Sequence, residues 1–289
     1  KAMWGDDSIS LPILGNADTV KSFTREELLE YIRSHYTPEN SVVSIAGKID
    51  MNTVEKLMEK YFGKWSFNGK SLINYSRPQF LKNHLFKRKS IEQLHISLGV
   101  PGVESGNDDI YALLLLNNVY GGGTSSILFQ KIREEMGICY SIYSYPASFN
   151  NIGVVNIYTG LNVKYSYDVI CRIKDELQKF VKEGVDSNRL KKAKEQLKGN
   201  YVLGLESMSS KMFSNGKSVL FLNKLSTPSD IIDKINKIDQ DTIKRVMKNT
   251  FCKGIVNSAF VGEKVDIYLM ENLLEKDTDL FPKSEHTLL

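Results

Sequence analysis

Histidine is scarce in this chain and never paired. His35, His84, His95 and His286 are the only four, and no two lie within five residues of each other. That excludes two imidazoles one helical turn apart, the arrangement that grips a zinc ion from a single helix. Cysteine is equally sparse: Cys139, Cys171 and Cys252 form no CxxC motif. Three scattered thiols, an odd number, suit a reducing, cytoplasmic compartment better than a disulfide scaffold. The expectation is that this chain alone binds no metal.

Long apolar runs are also missing. No stretch of about 18 apolar residues occurs, so no membrane-spanning helix is expected. Charge of one sign is not in large excess: the net +4 is slight and argues neither for nor against nucleic acid. The 42% hydrophobic and 25% charged content is ordinary for a globular protein, and 289 residues hold one large or two modest domains.

What is present concentrates between Gly121 and Tyr145, GGGTSSILFQKIREEMGICYSIYSY. Three glycines and three hydroxyl residues open a segment in which Ile127, Leu128, Ile132 and Met136 recur at helical spacing. Gly137 then stands where a left-handed cap ends a helix. From Cys139 to Tyr145, aromatic or apolar residues alternate with small polar ones, which predicts a strand. Arg133 therefore sits late on a helix and Tyr140 at the start of the next strand.

The pattern Leu128-Phe129-Gln130-x-x-Arg133-Glu134-x-x-Gly137-x-x-Tyr140-Ser141 resembles the second-domain signature of the pitrilysin/insulinase family of zinc peptidases, which includes the mitochondrial processing peptidases. Trp4-Gly5 through Pro12-Ile13-Leu14-Gly15 resembles that family's loop before a helical hairpin, and Asn188–Ser207 resembles a structural helix of it. The resemblance implies two domains of one α+β topology and hydrolysis of extended peptides inside a chamber. It also implies zinc in the full-length protein, held by His-x-x-Glu-His and a further Glu that are absent here. Arg133 and Tyr140 are then the catalytic and substrate-binding residues. The Tyr140 hydroxyl would donate to the tetrahedral oxyanion, and Arg133 would hold the substrate backbone or that charge. Family members of this length work as dimers, so a homodimer, or a heterodimer with a zinc-bearing subunit, is expected. Neither nucleic acid nor membrane is an expected partner. The alternative within the family is a non-catalytic structural or partner subunit.

An internal repeat accounts for the missing zinc motif. Residues 20–65 and 235–281 share one order: capped helix, break, apolar strand, glycine, a polar stretch with Asp, second amphipathic helix. Val20 matches Ile235, Tyr36 matches Phe251 and Gly47 matches Gly262 at an offset of 215, and one insertion sets Asp50 opposite Asp266. The second copy ends a unit that starts near Lys89. By the same offset the first unit would start well before Lys1, making this the C-terminal part of a protein of roughly 410 residues. Lys1 to Trp4 reads as the middle of a helix. Residues 1–66 are expected to close a first, zinc-bearing domain, 67–88 to be a linker, and 89–289 to form the second domain with the Arg/Tyr pair.

Along the chain, helices are expected at 24–35, 51–62, 108–120, 164–183 and from Ser187 past Leu197. Strands are expected at 41–46, 93–100, 138–149 and 152–160. Together they make an α+β fold, a mainly antiparallel sheet with helices on one face, the first domain being incomplete. Without strands to complete their sheet, residues 1–65 should be mobile or aggregation-prone if isolated.

Rival readings of single features are blander. Lys82, Lys87, Arg88 and Lys89 with His84 could contact an acidic partner, but a solvated linker explains them as well. Gly121-Gly122-Gly123-Thr124 lacks the Gly-Lys-Ser/Thr ending of a phosphate loop and follows a helix, so a tight turn with a Ser or Thr cap is expected. Arg133 taken alone would be a surface residue paired with Glu134 or Glu135. Lys191, Lys192, Lys194 and Lys198 fit the wet face of an amphipathic helix, and nothing in the sequence explains Gly199 and Gly204 within it. An RNA-binding sheet would need exposed aromatic and basic residues on one strand, and no such strand motif is present.

Overall fold

The computed structural model describes residues 1–66 and 75–275. Residues 67–74 of the expected linker, the end of the second repeat near Phe281, and His286 lie outside them. Two compact units emerge. One comprises Lys1–Ser10, Arg77–Leu197 and the described residues from Asp233; the other comprises the described part of Leu11–Ser76 with Lys198–Ile232.

The first unit is built on five strands: β1 (Asn83–Arg88), β2 (Leu94–Pro101), β3 (Cys139–Ser148), β4 (Gly153–Leu161) and β5 (Asn257–Gly262). Their order is β1-β5-β2-β4-β3. Only β1 and β5 run parallel; the other three pairings are antiparallel. The basic run near Lys87, read as linker, is therefore partly an edge strand. Its charges suit that place, because charged side chains discourage a further strand from adding to the edge.

Alternation in β2 decides which face is buried. Leu94, Ile96, Leu98 and Val100 point into the core with Val155, Ile157, Leu161, Ile142 and Phe260, while His95 and Ser97 point the other way. The core face is covered by α4 (Ile110–Tyr120), α5 (Ser166–Glu183), α9 (Gln240–Asn249) and α10 (Ile267–Glu275). The α4 helix buries residues around most of its circumference, as the Leu113–Leu116 run predicts. At its end Tyr120 meets Phe180 and Phe251, the three ring centroids lying 5.1–5.5 Å apart. The Tyr120 hydroxyl donates to the Ile173 carbonyl at 3.3 Å. Each such buried ring contributes about 1.5–3 kcal/mol by leaving water.

The expected helix at Lys1–Trp4 is instead a single turn, closed by the Gly5 N–H on the Lys1 carbonyl at 2.8 Å and ended by the positive φ of Gly5. Trp4 packs edge-on against Phe149, 5.5 Å between centroids, within this same unit.

The second unit holds α1 (Ala17–Ser22), α2 (Arg25–His35), α3 (Met51–Phe62) and α7 (Met208–Leu222). The unit boundaries fall inside α6 (Ser187–Gly204) and α8 (Pro228–Lys237). Residues 198–232 thus cluster with 11–66 rather than with the Arg/Tyr part of the chain. The Ser44 hydroxyl, donating to the Met212 carbonyl at 2.7 Å, is one tie between the two segments.

The repeat is visible in the caps. Thr24 accepts from Glu27 N, and Glu27 reaches back to the Thr24 N–H at 2.8 Å, a full capping box at α2. At α9, Asp239 accepts from Thr242 N. Asp50 caps α3 by accepting from Thr53 N, as Asp266 accepts from Leu269 N before α10. The middle of the repeat differs. The strand expected at 41–46 does not form, although its counterpart β5 does. A strand exists only as part of a hydrogen-bonded ladder. β5 lies between β1 and β2, whereas residues 41–46 have no ladder partner among the described residues.

Candidate functional site

Two close approaches fix the Gly121–Tyr145 segment in place. Gly121 ends α4 where a Cβ would stand 2.3 Å from Ser144 Oγ and 2.7 Å from Ser144 N, so only glycine allows the helix end to touch β3. Beneath it, Ser144 Oγ donates to Asn117 Oδ1 at 2.7 Å, and Asn117 Nδ2 donates to the Ser144 carbonyl at 3.2 Å. Ser126 then caps the next helix, its buried hydroxyl accepting from Phe129 N. The glycine run is a turn with a serine cap, as expected.

Arg133 stands in a π-helical turn, Phe129–Glu134, where Glu135 N–H reaches back five residues to the Gln130 carbonyl at 3.0 Å. Such widened turns occur often at functional sites. Leu128 and Ile132 anchor the inner face of the segment. The outer face carries Arg133, exposed, its guanidinium 4.9 Å from the Phe129 ring centroid. The expected pairing with Glu134 or Glu135 does not occur. Glu135 is held instead by Lys131 and by Arg172 of α5, the latter bound in turn to Glu176 at 3.1 Å. Among the described residues no carboxylate forms an ion pair with Arg133.

Gly137 closes the turn with φ +64°, its N–H donating to the Arg133 carbonyl at 3.2 Å. Six ordered residues thus separate Arg133 from Tyr140, and the second of these sits on a β-bulge. Cys139 pairs with Leu161 and Ser141 with Gly160, leaving Tyr140 as the extra residue. A bulge re-aims the side chain it carries. Tyr140 is 74% exposed and its hydroxyl has no hydrogen-bond partner among the described residues. Burial raises the neighbouring Cys139 thiol above its usual pKa, and nearby Thr159 and the charge of Arg133 partly oppose this. The Arg133 charge is therefore felt at the strand position just before Tyr140.

Chemically, the pair offers a fixed cation and a free phenol hydroxyl at one end of β3. It offers no metal site. Among the described residues no group of three His, Cys, Asp or Glu side chains converges as a metal would require. His84 Nδ1 is engaged with Ser258 Oγ at 2.7 Å, His95 Nδ1 with the Tyr158 hydroxyl at 2.6 Å, and His35 stacks on Tyr31. A zinc ion does not fit the described side chains. The His95–Tyr158 contact was invisible in the sequence, since only strand register brings residues 63 apart together. The alternation of β2 was the available signal, for it turns His95 away from the core.

Among the described residues no helix is long and apolar enough to cross a membrane, and the three cysteines are free. A family model described as the Peptidase M16 inactive domain matches residues 22–197. The chain is 38% identical over 251 residues to the "Uncharacterized zinc protease YmxG" of Bacillus subtilis (strain 168), covering 87% of this chain and 61% of that protein. Two solved structures are similar in fold. A protease from Helicobacter pylori has a TM-score of 0.73 at 19% identity, over 87% of this chain and 61% of that one. The peptidase M16 inactive domain from Pseudomonas fluorescens has a TM-score of 0.76 at 18% identity, over 92% and 63%. This chain thus spans about three-fifths of the length of such relatives. The α+β architecture is the expected one, and with more than half of its residues matched by the family model the chain belongs to the peptidase M16 family.

Proposed function

We propose that this chain is the C-terminal part of a zinc-dependent metalloendopeptidase that hydrolyses peptides within a two-domain chamber. Its own contribution is substrate and transition-state contact. Addition of water to a peptide carbonyl carbon makes a tetrahedral oxyanion. The Tyr140 hydroxyl donates to that oxygen, and Arg133 holds the substrate backbone or the same developing charge. The C–N bond then breaks and the leaving amine takes a proton. No step is assigned to a metal on these residues. Zinc and the water-activating groups would be supplied by polypeptide outside this chain, in the same full-length subunit or in a dimer partner.

The observation that carries this reading is the freedom of both groups in a member of a peptidase family. Tyr140 is turned outward by a bulge, and Arg133 has no carboxylate partner among the described residues. Glu134 and Glu135 directly follow Arg133, yet neither forms an ion pair with it, Glu135 being held by Lys131 and Arg172. Neither nucleic acid nor membrane enters this reading, and three free thiols suit a cytoplasmic location.

A second reading, a non-catalytic structural or partner subunit, is favoured by a different fact. The matched domain is described as inactive, and the described residues hold no metal-binding group. Peptide hydrolysis by the purified full-length protein, followed by mass spectrometry with and without a chelator, separates the two. Chelator-sensitive cleavage, restored by added zinc, supports the peptidase. Zinc-free protein that cleaves nothing supports the structural subunit.

A further inference from the structure

Four strands of the sheet carry no formal charge. β2, β3, β4 and β5 contain no Asp, Glu, Lys or Arg at any position. That suits the face covered by helices, but the open face of an antiparallel sheet ordinarily alternates out to polar, solvated residues. Here the open face carries aromatic rings. Ile142 and Ser144 are buried on the helix side, so Tyr143 and Tyr145 stand on the open side, each 44% exposed. Tyr158 of β4 lies directly opposite Tyr143, with ring centroids 5.0 Å apart, and Tyr145 is 5.9 Å from Tyr143. On its other flank the Tyr158 ring is 6.0 Å from that of His95 on β2, its hydroxyl 2.6 Å from Nδ1. Gly160, opposite both Ser141 and His95, leaves this space open: a Cβ there would meet the Tyr158 hydroxyl at 3.5 Å. Tyr145, Tyr143, Tyr158 and His95 thus form an unbroken aromatic shelf across three strands. It begins three residues beyond Tyr140 on the same strand.

We propose that this shelf is a specificity subsite, taking an aromatic or large apolar side chain of the peptide substrate. The proposal deepens the peptidase reading above and rests on it for the place of the cleaved bond. Two features select the occupant. With no Asp, Glu, Lys or Arg on the four strands, a charged side chain laid on the shelf would lose water and gain no counter-ion. An aromatic side chain loses little and stacks on rings already spaced as aromatic pairs are. The other feature is continuity with Tyr140. A strand advances about 3.3 Å per residue, so Tyr143 lies about 10 Å along β3 from Tyr140. An extended peptide running along β3 rises equally. Its side chain over Tyr143 is then about three residues from the carbonyl that meets Tyr140. Tyr143 and Tyr145 touch substrate in this reading and decide which peptides bind; they do not touch the reacting atoms.

The test uses the full-length protein and a series of Ala/Ser peptides in which one position, moved stepwise along the peptide, is Phe, Ala or Glu. Binding is measured by calorimetry on chelator-treated protein, where nothing turns over. The best Phe peptide should bind about tenfold or more tightly than its Ala counterpart, the usual gain from covering a large apolar side chain. The Glu peptide should bind no better than the Ala one. Tyr143→Ala and Tyr145→Ala should each reduce the Phe preference to about threefold or less. Tyr143→Phe should keep it, because the ring carries the contact, and it guards against a folding defect in the Ala variants. With zinc-loaded protein, mass spectrometry should find the cut about three residues from Phe. Equal affinity for Phe and Ala peptides, or a preference unchanged by both Ala variants, overturns the subsite. So does a changed oligomeric mass in those variants with the preference intact, which would make the shelf a contact between protein chains. A cut at no fixed distance from Phe overturns its placement beside Tyr140. Phe binding that depends on Tyr143 and Tyr145, in a protein that cleaves nothing, supports the subsite and fails the peptidase reading instead.

Discussion

The carbonyl of Gly121 accepts a 2.8 Å hydrogen bond from the amide of Ser144, joining the end of α4 to the middle of β3 backbone to backbone. The intervening residues make a closed excursion that carries Arg133 on its way out and Tyr140 on its return. Its two ends cannot drift apart without breaking that bond. The site thus depends on a glycine that takes no part in chemistry.

Gly121→Ala should therefore destabilise the first unit by about 1–3 kcal/mol, the usual cost of forcing an extra methyl into a packed contact. Gly123 has nothing within 4 Å of its missing Cβ and an ordinary φ. Gly123→Ala should change stability by no more than about 0.5 kcal/mol. Urea unfolding followed by tyrosine fluorescence compares the two, and equal effects would show that the close approach does not matter.

The aromatic triangle under the sheet should be the costliest place to cut. Phe251 is fully buried between Tyr120 and Phe180. Phe251→Ala should cost about 3–5 kcal/mol, while Tyr120→Phe, which loses one hydroxyl bond, should cost about 1 kcal/mol. Thermal unfolding measures both.

His84 makes the first unit sensitive to mild acid. Burial lowers its pKa below the ordinary 6.5, with Glu271 and Glu275 partly opposing. The unfolded chain then binds this proton more readily than the folded one, so stability is complete above about pH 6.5 and falls as pH drops through the lower folded value. His84→Gln should flatten that part of the stability–pH curve. A wild-type curve no steeper than that of the variant would contradict the assignment.

The two copies of the repeat differ in what covers them. Ile243, Val246 and Met247 on α9 are buried, whereas their matches on α2, Leu28, Tyr31 and Ile32, are each about half exposed. Limited proteolysis of this chain should therefore cut within residues 11–66 before it cuts within 90–275. Equal protection of the two regions would count against it.

Much of this architecture was legible in the sequence. The alternation of Leu94, Ile96, Leu98 and Val100 marks β2 and its buried face, and the helices at 166–183 and 51–62 fall within two residues of expectation. Thr24 with Glu27 marks a capping box that forms as read. Other features depend on partners and so leave no local trace. Residues 41–46 have strand composition but no ladder, and β1 has a ladder but the composition of a solvated edge. The π-turn at Phe129–Glu134 differs from an α-helix by one hydrogen-bond register, which no propensity reports. Arg133 and Tyr140 were singled out by the resemblance of residues 128–141 to a family pattern, not by any local propensity. The bulge under Tyr140 arises only when β3 and β4 come into register.

The most direct measurement is the steady-state peptidase activity of the full-length, zinc-loaded protein beside Tyr140→Phe and Arg133→Ala. Both side chains are exposed, so neither change should unfold the protein. If Tyr140 supplies an oxyanion donor, kcat should fall by about 100-fold or more in Tyr140→Phe with little change in KM. Arg133→Ala should lower kcat/KM by at least about tenfold. Full activity in both variants would contradict the account, and the Arg/Tyr end of β3 would not be the site.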